Sequence, residues 1–387
     1  MASLFPEGPH PESGLGYYRR LGTLAGVHVS PIALGGMSIG EQWKDFGVNG
    51  MSKEDSFKFL DKYYELGGNF IDTANAYSFG KSEEYIGEWA EERGIRDQLF
   101  IATKYTNNPY LDDASVKQKH LFNGNGLKSL HLNIDISLKR LRTSYIDLYY
   151  VHWWDYTTTI PELMQALHGL VLQRKVLYLG ISDAPAWVVS KANEYARCHA
   201  LTPFSVYQGQ WNVLSRDFER DIIPMARDEG MALAPWGVLA GGKIRSDEEE
   251  ERRRQTGENG RALSLTGTGW ERSEEEKKVC KALEQVKEEV GAKSLGAVAI
   301  AYVMHKTQYV FPIIGGRKIE HLVSNLEALE ISLTPAHVKF LDSVAPFDIG
   351  FPHNMIGDGT TSAVIGSFTG HIRYWPRAQP ISGASSK

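Results

Sequence analysis

Cysteine is scarce in this chain. Cys198 and Cys280 are the only two in 387 residues. They stand far apart and in no metal spacing, which excludes a disulfide framework and reads as reduced thiols of a cytoplasmic protein. Positive charge is short as well. The formal net charge is -5, so no bulk attraction to nucleic acid or an anionic membrane is expected. No apolar run reaches the roughly 18 residues of a membrane helix. The opening MASLFPEGPHPESG has no basic n-region and no apolar h-region, so it is not expected to act as a secretory signal. A G-x-G-x-x-G turn after the first strand-like segment is also missing. Gly35, Gly36 and Gly40 do not fit that spacing, which argues against an open dinucleotide-binding sheet. No second His or acid stands at ligand spacing near His152, so no metal centre is expected.

What is present is alternation. Hydrophobic residues at 42% and charged residues at 23% describe an ordinary globular protein. Eight strand-like segments recur: IALGGM (32–37), NFIDTA (69–74), LFIATKY (99–105), DLYYVHW (147–153), VLYLGIS (176–182), FSVYQGQW (204–211), MALAPWG (231–237) and YVFPIIG (309–315). Helical periodicity falls between them, as in Phe57, Leu60, Tyr64 and in Leu163, Leu167, Leu170. Ser52 and Ser82 read as N-caps, and Gly67-Gly68 as a C-cap. Parallel βαβ units are the consequence, and eight strands close a (β/α)8 TIM barrel. We therefore expect one α/β domain over 1–387, with its barrel core at about 30–345. RRLGTLAGVHVSP reads as an N-terminal hairpin cap. Residues 243–272 read as a polar insertion whose DEEEERRRQ run is a solvated face. Residues 346–387 read as a tail that leans over the barrel and frays.

Active-site groups of such barrels sit where strands end. Asp72 ends the second strand and Tyr77 follows in its loop; Lys104 ends the third; His152 ends the fourth. Taken singly, each has an ordinary explanation as a cap, a packing ring, a surface amine or a structural histidine. Together they bring acid, base and cation to one rim. A buried Lys104 needs a counter-charge, and Asp72 supplies it. The set suits carbonyl reduction. A phenol near an ammonium can protonate an alkoxide, and an imidazole can direct the carbonyl oxygen.

GGNFIDTANAYSFGKSEEYIGEW, IATKY and VHWWD resemble the aldo-keto reductase signature and its Asp–Tyr–Lys–His tetrad. Within that family, TSYIDLYYVHWWDYTTTI, DAPAWVVSKAN, RDFERDIIPMAR and PFDIGFPHNM are similar to fungal aryl-alcohol dehydrogenases and norsolorinic-acid-reductase-like members. The resemblance implies that Tyr77 is the proton donor, Lys104 its pKa depressor, Asp72 the partner of Lys104 and His152 the substrate orienter. It implies NADP(H) as cofactor. Ser182 and Gln208 would hold the nicotinamide amide and Trp236 would stack on its ring. Asp183 stands where the family usually has Asn. APWGVLAGG and the residue after it add Gly237, Leu239, Gly241 and Lys243; Gly237 stands where many of the subgroup have Asp.

PIIGGRKIEHLVSNLEAL resembles the adenosine-phosphate segment, with Gly315, Gly316, Arg317, Lys318, His321 and Asn325. Cations at a helix start, where acids are normally preferred, suit a bound phosphate.

The function expected is NADP(H)-dependent interconversion of aldehydes or ketones and alcohols, with an aromatic small-molecule substrate against Tyr105, Trp153 and Trp154. Other readings are a reductase of a polycyclic secondary-metabolite ketone, a Schiff-base enzyme using Lys104, and an NADPH-binding regulatory module with little turnover.

Overall fold

The computed structural model describes residues 8–47, 49–257 and 269–360, with 368, 370, 371, 373, 375 and 378–383 of the tail. Two short antiparallel strands come first, β1 (Arg19–Gly22) and β2 (Ala25–Val29). Eight parallel strands follow: β3 (Ala33–Gly35), β4 (Phe70–Asp72), β5 (Phe100–Tyr105), β6 (Ile146–Val151), β7 (Val176–Ser182), β8 (Phe204–Gln210), β9 (Ala232–Trp236) and β10 (Ile313–Ile314). Neighbours in the sheet are consecutive in sequence, with β10 against β3. The ring closes where Leu233 N donates to Tyr309 O at 2.9 Å and Phe311 N donates to Leu233 O at 2.8 Å. The last strand is thus shorter than its 309–315 segment suggests, because Pro312 interrupts the ladder.

Helices fill the crossovers: α1 (Lys53–Glu65), α2 (Lys81–Arg93), α3 (Leu127–Arg140), α4 (Ile160–Leu172), α5 (Ala186–Cys198) and α6 (Ile222–Glu229). Between β9 and β10 stand α7 (Asp247–Thr256), α8 (Glu274–Glu289) and α9 (Leu295–Lys306). After the barrel come α10 (Ile319–Leu326), α11 (Pro335–Val344) and α12 (His353–Ile356). Apolar faces at three- and four-residue steps decide which side each helix buries: Phe59, Leu60 and Tyr63 of α1, and Leu163, Leu167 and Leu170 of α4. Ser52 caps α1 through Asp55 N. Ser82 does not cap α2. It lies one residue inside that helix, and its hydroxyl joins the Gly36 carbonyl and Thr73 at 2.8 and 2.7 Å, tying the first two strand ends together.

The inner core explains which end is open. Leu21, Ala25 and Val29 of the hairpin pack into one buried cluster with Phe70, Phe100, Phe311, Leu148 and Tyr150. Phe70 and Phe100 begin their strands, so the hairpin plugs the N-terminal end. Function is left to the opposite rim.

The 243–272 segment is more than a solvated face. Its charge run forms α7, and Glu250 turns inward to 4% exposure. Arg272 holds it at 2.6 Å and Arg245 at 2.8 Å. Burial alone would raise the Glu250 carboxyl, but the two guanidinium groups hold it down to about 2. Residues 258–268 of the segment lie outside the described residues. The start of the tail is anchored: Arg220 donates to the Ile349 and Asp348 carbonyls, and Phe347 lies over Arg220 and Arg216.

Candidate active site

At the C-terminal rim, β4 ends on Asp72 and β5 presents Lys104 inward. The ammonium is fully buried. Its Nζ donates to Asp72 Oδ1 at 2.6 Å and to the Thr73 carbonyl at 2.8 Å, and stands 3.4 Å from the Tyr77 hydroxyl. Gln208 Nε2, from β8 across the barrel, donates to Asp72 Oδ2 at 2.8 Å. Both carboxylate oxygens are therefore engaged, and the pair is held from two sides. Such a pair is paid for in desolvation, which is tolerable only because every charge has a partner.

Tyr77 sits on a turn with unusual backbone. Ser78 and Phe79 follow it at φ 48° and 51°, both in the left-handed region. Strain of this kind persists only where the surroundings enforce it. Gly80 (φ 90°) completes the turn, and a Cβ there would lie 2.2 Å from the Arg140 guanidinium. Arg140 in turn donates to the Asn75 and Pro109 carbonyls and pairs with Glu83, which is itself buried and receives the Thr103 hydroxyl.

Burial pushes the Tyr77 phenol above its ordinary value. Lys104 pulls it back and Asp72 pushes it up again. The expected depression by Lys104 is present as a contribution, but it does not prevail, because burial outweighs it and Asp72 adds to the rise. Burial likewise raises Asp72 against the pull of Lys104. Burial lowers Lys104, but Asp72 and Tyr77 together more than restore it, so the amine stays charged. Burial and the Lys104 charge hold His152 well below the usual imidazole range, so it is neutral.

His152 follows β6, with its backbone N–H on Thr106 Oγ1. Asn107 Nδ2 stands 3.0 Å from its Nδ1. An amide N–H donates to that ring nitrogen, so the neutral ring carries its proton on Nε2. The Tyr77 and His152 rings meet edge to face at 6.0 Å. Asn107 escaped the sequence reading, since nothing in NNP marks one Asn as an imidazole partner. Trp43 escaped it too. Its ring lies edge-on to Tyr77 at 6.0 Å and to Phe79 at 6.2 Å, from a loop that precedes the signature string and the helix before it.

Of the aromatic residues assigned to substrate, Trp153 stacks on His152 at 4.8 Å and is 36% exposed. Trp154 is half-buried against the main apolar core and edge-on to Tyr156. Tyr105 is a correction. Strand alternation turns it away from the Lys104 side; it is fully buried, stacks on Tyr149 at 5.4 Å and donates to the Asn125 carbonyl. It cannot reach a ligand in the cleft.

The candidate cofactor residues arc around the same rim. Ser182 ends β7, and its hydroxyl donates to Asp183 Oδ2 at 3.0 Å. Asp183 adopts φ 44° and accepts the Trp236 indole N–H at 3.2 and 3.3 Å. Burial pushes its carboxyl up to about 6 despite the Ser182 and Trp236 hydrogen bonds. After β9 the chain turns left-handed at Gly237, Ala240, Gly241 and Gly242, a concave backbone of the kind that binds anions. Leu239 packs against the core, and Lys243 is committed to Glu276 at 2.9 Å. Past β10, Gly315, Arg317 and Lys318 are exposed, with Lys318 as the N-cap residue of α10 and His321 exposed in its first turn. Among the described residues neither Arg317 nor Lys318 has an acidic partner within ion-pair distance. Asn325 is buried on the same helix, its Oδ1 beside Gly296 of α9. A cleft of about 570 Å³ is lined by Arg317, Lys318, Ser52 and Asp55, beside this segment and not over the tetrad.

Fold and rim together define a barrel oxidoreductase acting on carbonyl and alcohol groups. Residues 31–346 match the model of the Aldo/keto reductase family, and the chain belongs to that family. It is 56% identical over 382 residues to the aryl-alcohol dehydrogenase (NADP(+)) of Phanerodontia chrysosporium, covering 98% of this chain and 99% of that protein. Norsolorinic acid reductase of Aspergillus flavus is 47% identical over 361 residues, covering 93% and 89%. Aldo-keto reductase ausK of Aspergillus calidoustus is 48% identical over 355 residues, covering 92% and 88%. No helix among the described residues is long and apolar enough to cross a membrane.

Proposed function

We propose that the protein is an NADP(H)-dependent reductase of aromatic aldehydes or ketones, working in reverse on the matching alcohols, with Tyr77 as proton donor. The observation that carries this reading is the buried Lys104 ammonium held between the Asp72 carboxylate and the Tyr77 hydroxyl. Residues present on the rim fit the cofactor. Ser182, Asp183 and Gln208 offer hydroxyl, carboxylate and amide at one place, with the Trp236 ring beside them. The left-handed turn at 237–242, with Leu239, offers backbone N–H groups, and Lys243 beside it would have to share its charge with Glu276. Gly315, Gly316, Arg317, Lys318, His321 and Asn325 offer positive charge and an amide where a nucleotide phosphate and base would lie.

When bound, the cofactor supplies a hydride to the carbonyl carbon. The chain's own residues handle the oxygen. His152 Nε2–H points its proton at the carbonyl and fixes its direction. Tyr77 keeps its proton at neutral pH, because burial holds the phenol up. An alkoxide is a stronger base than a phenolate, so the proton still transfers. Lys104 then receives the phenolate charge at close range, while Asp72 and Gln208 keep the ammonium in place. The rings of Trp43, Phe79 and Trp153 favour a planar aromatic substrate. Two unpaired thiols, one exposed and one buried, fit a reducing compartment and support a cytoplasmic setting.

Tyr77→Phe tests the reading. We expect turnover to fall by at least a hundredfold while NADPH binds as in the wild type. A variant that reduces a good aldehyde near the wild-type rate would remove Tyr77 from the mechanism.

A further inference from the structure

The charges gathered at the C-terminal rim do not balance. Asp72 and Lys104 neutralise one another at 2.6 Å. His152 is neutral. Asp183 adds a carboxylate, and among the described residues no cation stands within ion-pair distance of it. Its two oxygens accept from neutral donors: the Ser182 hydroxyl, the Trp236 indole N–H and the Gln210 backbone N–H. The charged and titratable groups that reach it electrostatically are Lys104 from β5, Tyr77 from the loop after β4, and Tyr207 from β8. Of these, only Lys104 is cationic, and Asp72 already holds it. The backbone is bent to put the carboxylate there: φ 44° at a non-glycine residue, with the Asp183 N–H tied to the Gln208 carbonyl at 3.0 Å. A partly buried carboxylate without a cation is costly, and the cost falls when a cation binds beside it.

We propose that Asp183 reads the redox state of the cofactor, by holding the positively charged nicotinamide ring of NADP⁺ more tightly than the neutral dihydronicotinamide of NADPH. The proposal rests on the cofactor reading above, which places the nicotinamide against Ser182, Gln208 and Trp236. In the reaction a carbonyl takes up a hydride, two electrons and one proton, on carbon, and a proton from Tyr77 on oxygen. The reduced ring becomes a cation as it loses the hydride. A fixed negative charge beside that ring stabilises the product side on the enzyme. The Asn usual at this position in the family accepts and donates hydrogen bonds but carries no charge, so this preference belongs to the substitution. Asp183 thus tilts the bound equilibrium toward alcohol and NADP⁺, and slows NADP⁺ release relative to NADPH.

The test is binding, apart from turnover. Dissociation constants for NADPH and NADP⁺ are measured by titration calorimetry on the full chain, wild type and Asp183→Asn. The asparagine keeps the shape and an acceptor for Trp236. We expect it to weaken NADP⁺ by on the order of tenfold, the effect of one partly screened charge, and to leave NADPH within about twofold. Equal weakening of both, or no change in their ratio, would overturn the proposal and leave Asp183 as a hydrogen-bonding residue only. A wild type that binds neither cofactor would defeat the cofactor reading along with it, which is a different result from an unchanged ratio. A second arm needs no variant. The wild-type affinity ratio is followed from pH 8 to pH 5 against a control with the ring replaced, using 2′-phosphoadenosine 5′-diphosphoribose. NADP⁺ should lose affinity relative to both NADPH and the control as the carboxyl takes up its proton, and a flat ratio would overturn the proposal.

Discussion

At the scale of single residues, the tautomer of His152 is fixed by one neighbour. Asn107 donates to Nδ1, so Nε2 carries the proton and, on the function proposed above, would face the substrate. Asn107→Asp reverses the logic. A carboxylate accepts, so Nδ1 must carry the proton, and a neutral ring then offers a bare Nε2 lone pair to the carbonyl oxygen. We expect kcat to drop on the order of a hundredfold at neutral pH, the usual cost of one lost oxyanion donor. The new carboxylate also raises the His152 pKa, so the variant should recover rate as pH falls and the ring becomes a double donor. The wild type has no such limb, since burial and Lys104 keep His152 neutral. A pH–rate profile of the variant parallel to wild type would show that Asn107 does not set the tautomer. The tetrad itself was legible because its four residues end or follow consecutive strands. Asn107 and Trp43 were not, because their roles depend on where two loops meet. Tyr105 was misread for a simpler reason: alternation sends neighbours in a strand to opposite faces, and Lys104 takes the inner one.

At the scale of elements, eight strand-like segments with helical period between them were enough to give the barrel, since parallel neighbours and right-handed crossovers leave few other closures. The 243–272 segment was harder. A run of alternating charge usually marks a solvated face, and only the tertiary meeting of Arg245, Glu250 and Arg272 turns one acid inward. That triad makes α7 a structural element. Glu250→Gln should leave the Arg245 guanidinium without its carboxylate and Arg272 with Asp247 alone, and lower stability by about 3 kcal/mol at neutral pH. The sign with pH follows from the direction of the shift. Its folded pKa, about 2, lies below the ordinary 4.5, so the contribution is full above the ordinary value and is lost as pH falls toward 2. Denaturant unfolding at pH 7 and pH 3 should therefore show a smaller difference between variant and wild type at pH 3; an equal difference would show that the charge contributes nothing. The start of α10 carries a second element-scale expectation. Arg317→Ala should weaken NADPH by about 1.5–3 kcal/mol, the range for a charge-assisted hydrogen bond, and leave NADH nearly unchanged. Equal losses would mean that the segment does not read the phosphate.

Across the whole molecule, the barrel separates stability from chemistry. The hairpin and the phenylalanines at the strand starts close one end, and every group discussed for catalysis lies at the other. On the function proposed above, a substrate at the open end would meet a wall assembled from loops far apart in sequence. Trp43 lies edge-on to both Tyr77 and Phe79, and Trp153 is stacked on His152. Trp153 and His152 lie nearly parallel, at 9°, so on that reading a flat ring against the exposed part of the indole would bring its carbonyl near the imidazole. Aromatic contacts of this kind contribute about 0.5–1.5 kcal/mol beyond the area they bury. The protein should therefore favour benzaldehydes over aliphatic aldehydes of equal size by roughly threefold to tenfold in kcat/KM for each ring contact. Trp43→Ala and Trp153→Ala should each erase part of that preference. Trp154→Ala should leave the ratio as it is, since its ring packs on the core, and should lower thermal stability instead. The measurement is kcat/KM for matched aromatic and aliphatic aldehydes in the three variants and the wild type. A preference that survives both Trp43→Ala and Trp153→Ala would place the substrate wall elsewhere on the rim. A preference lost in Trp154→Ala alone would mean that the loop after β6 turns its second tryptophan, not its first, toward the substrate.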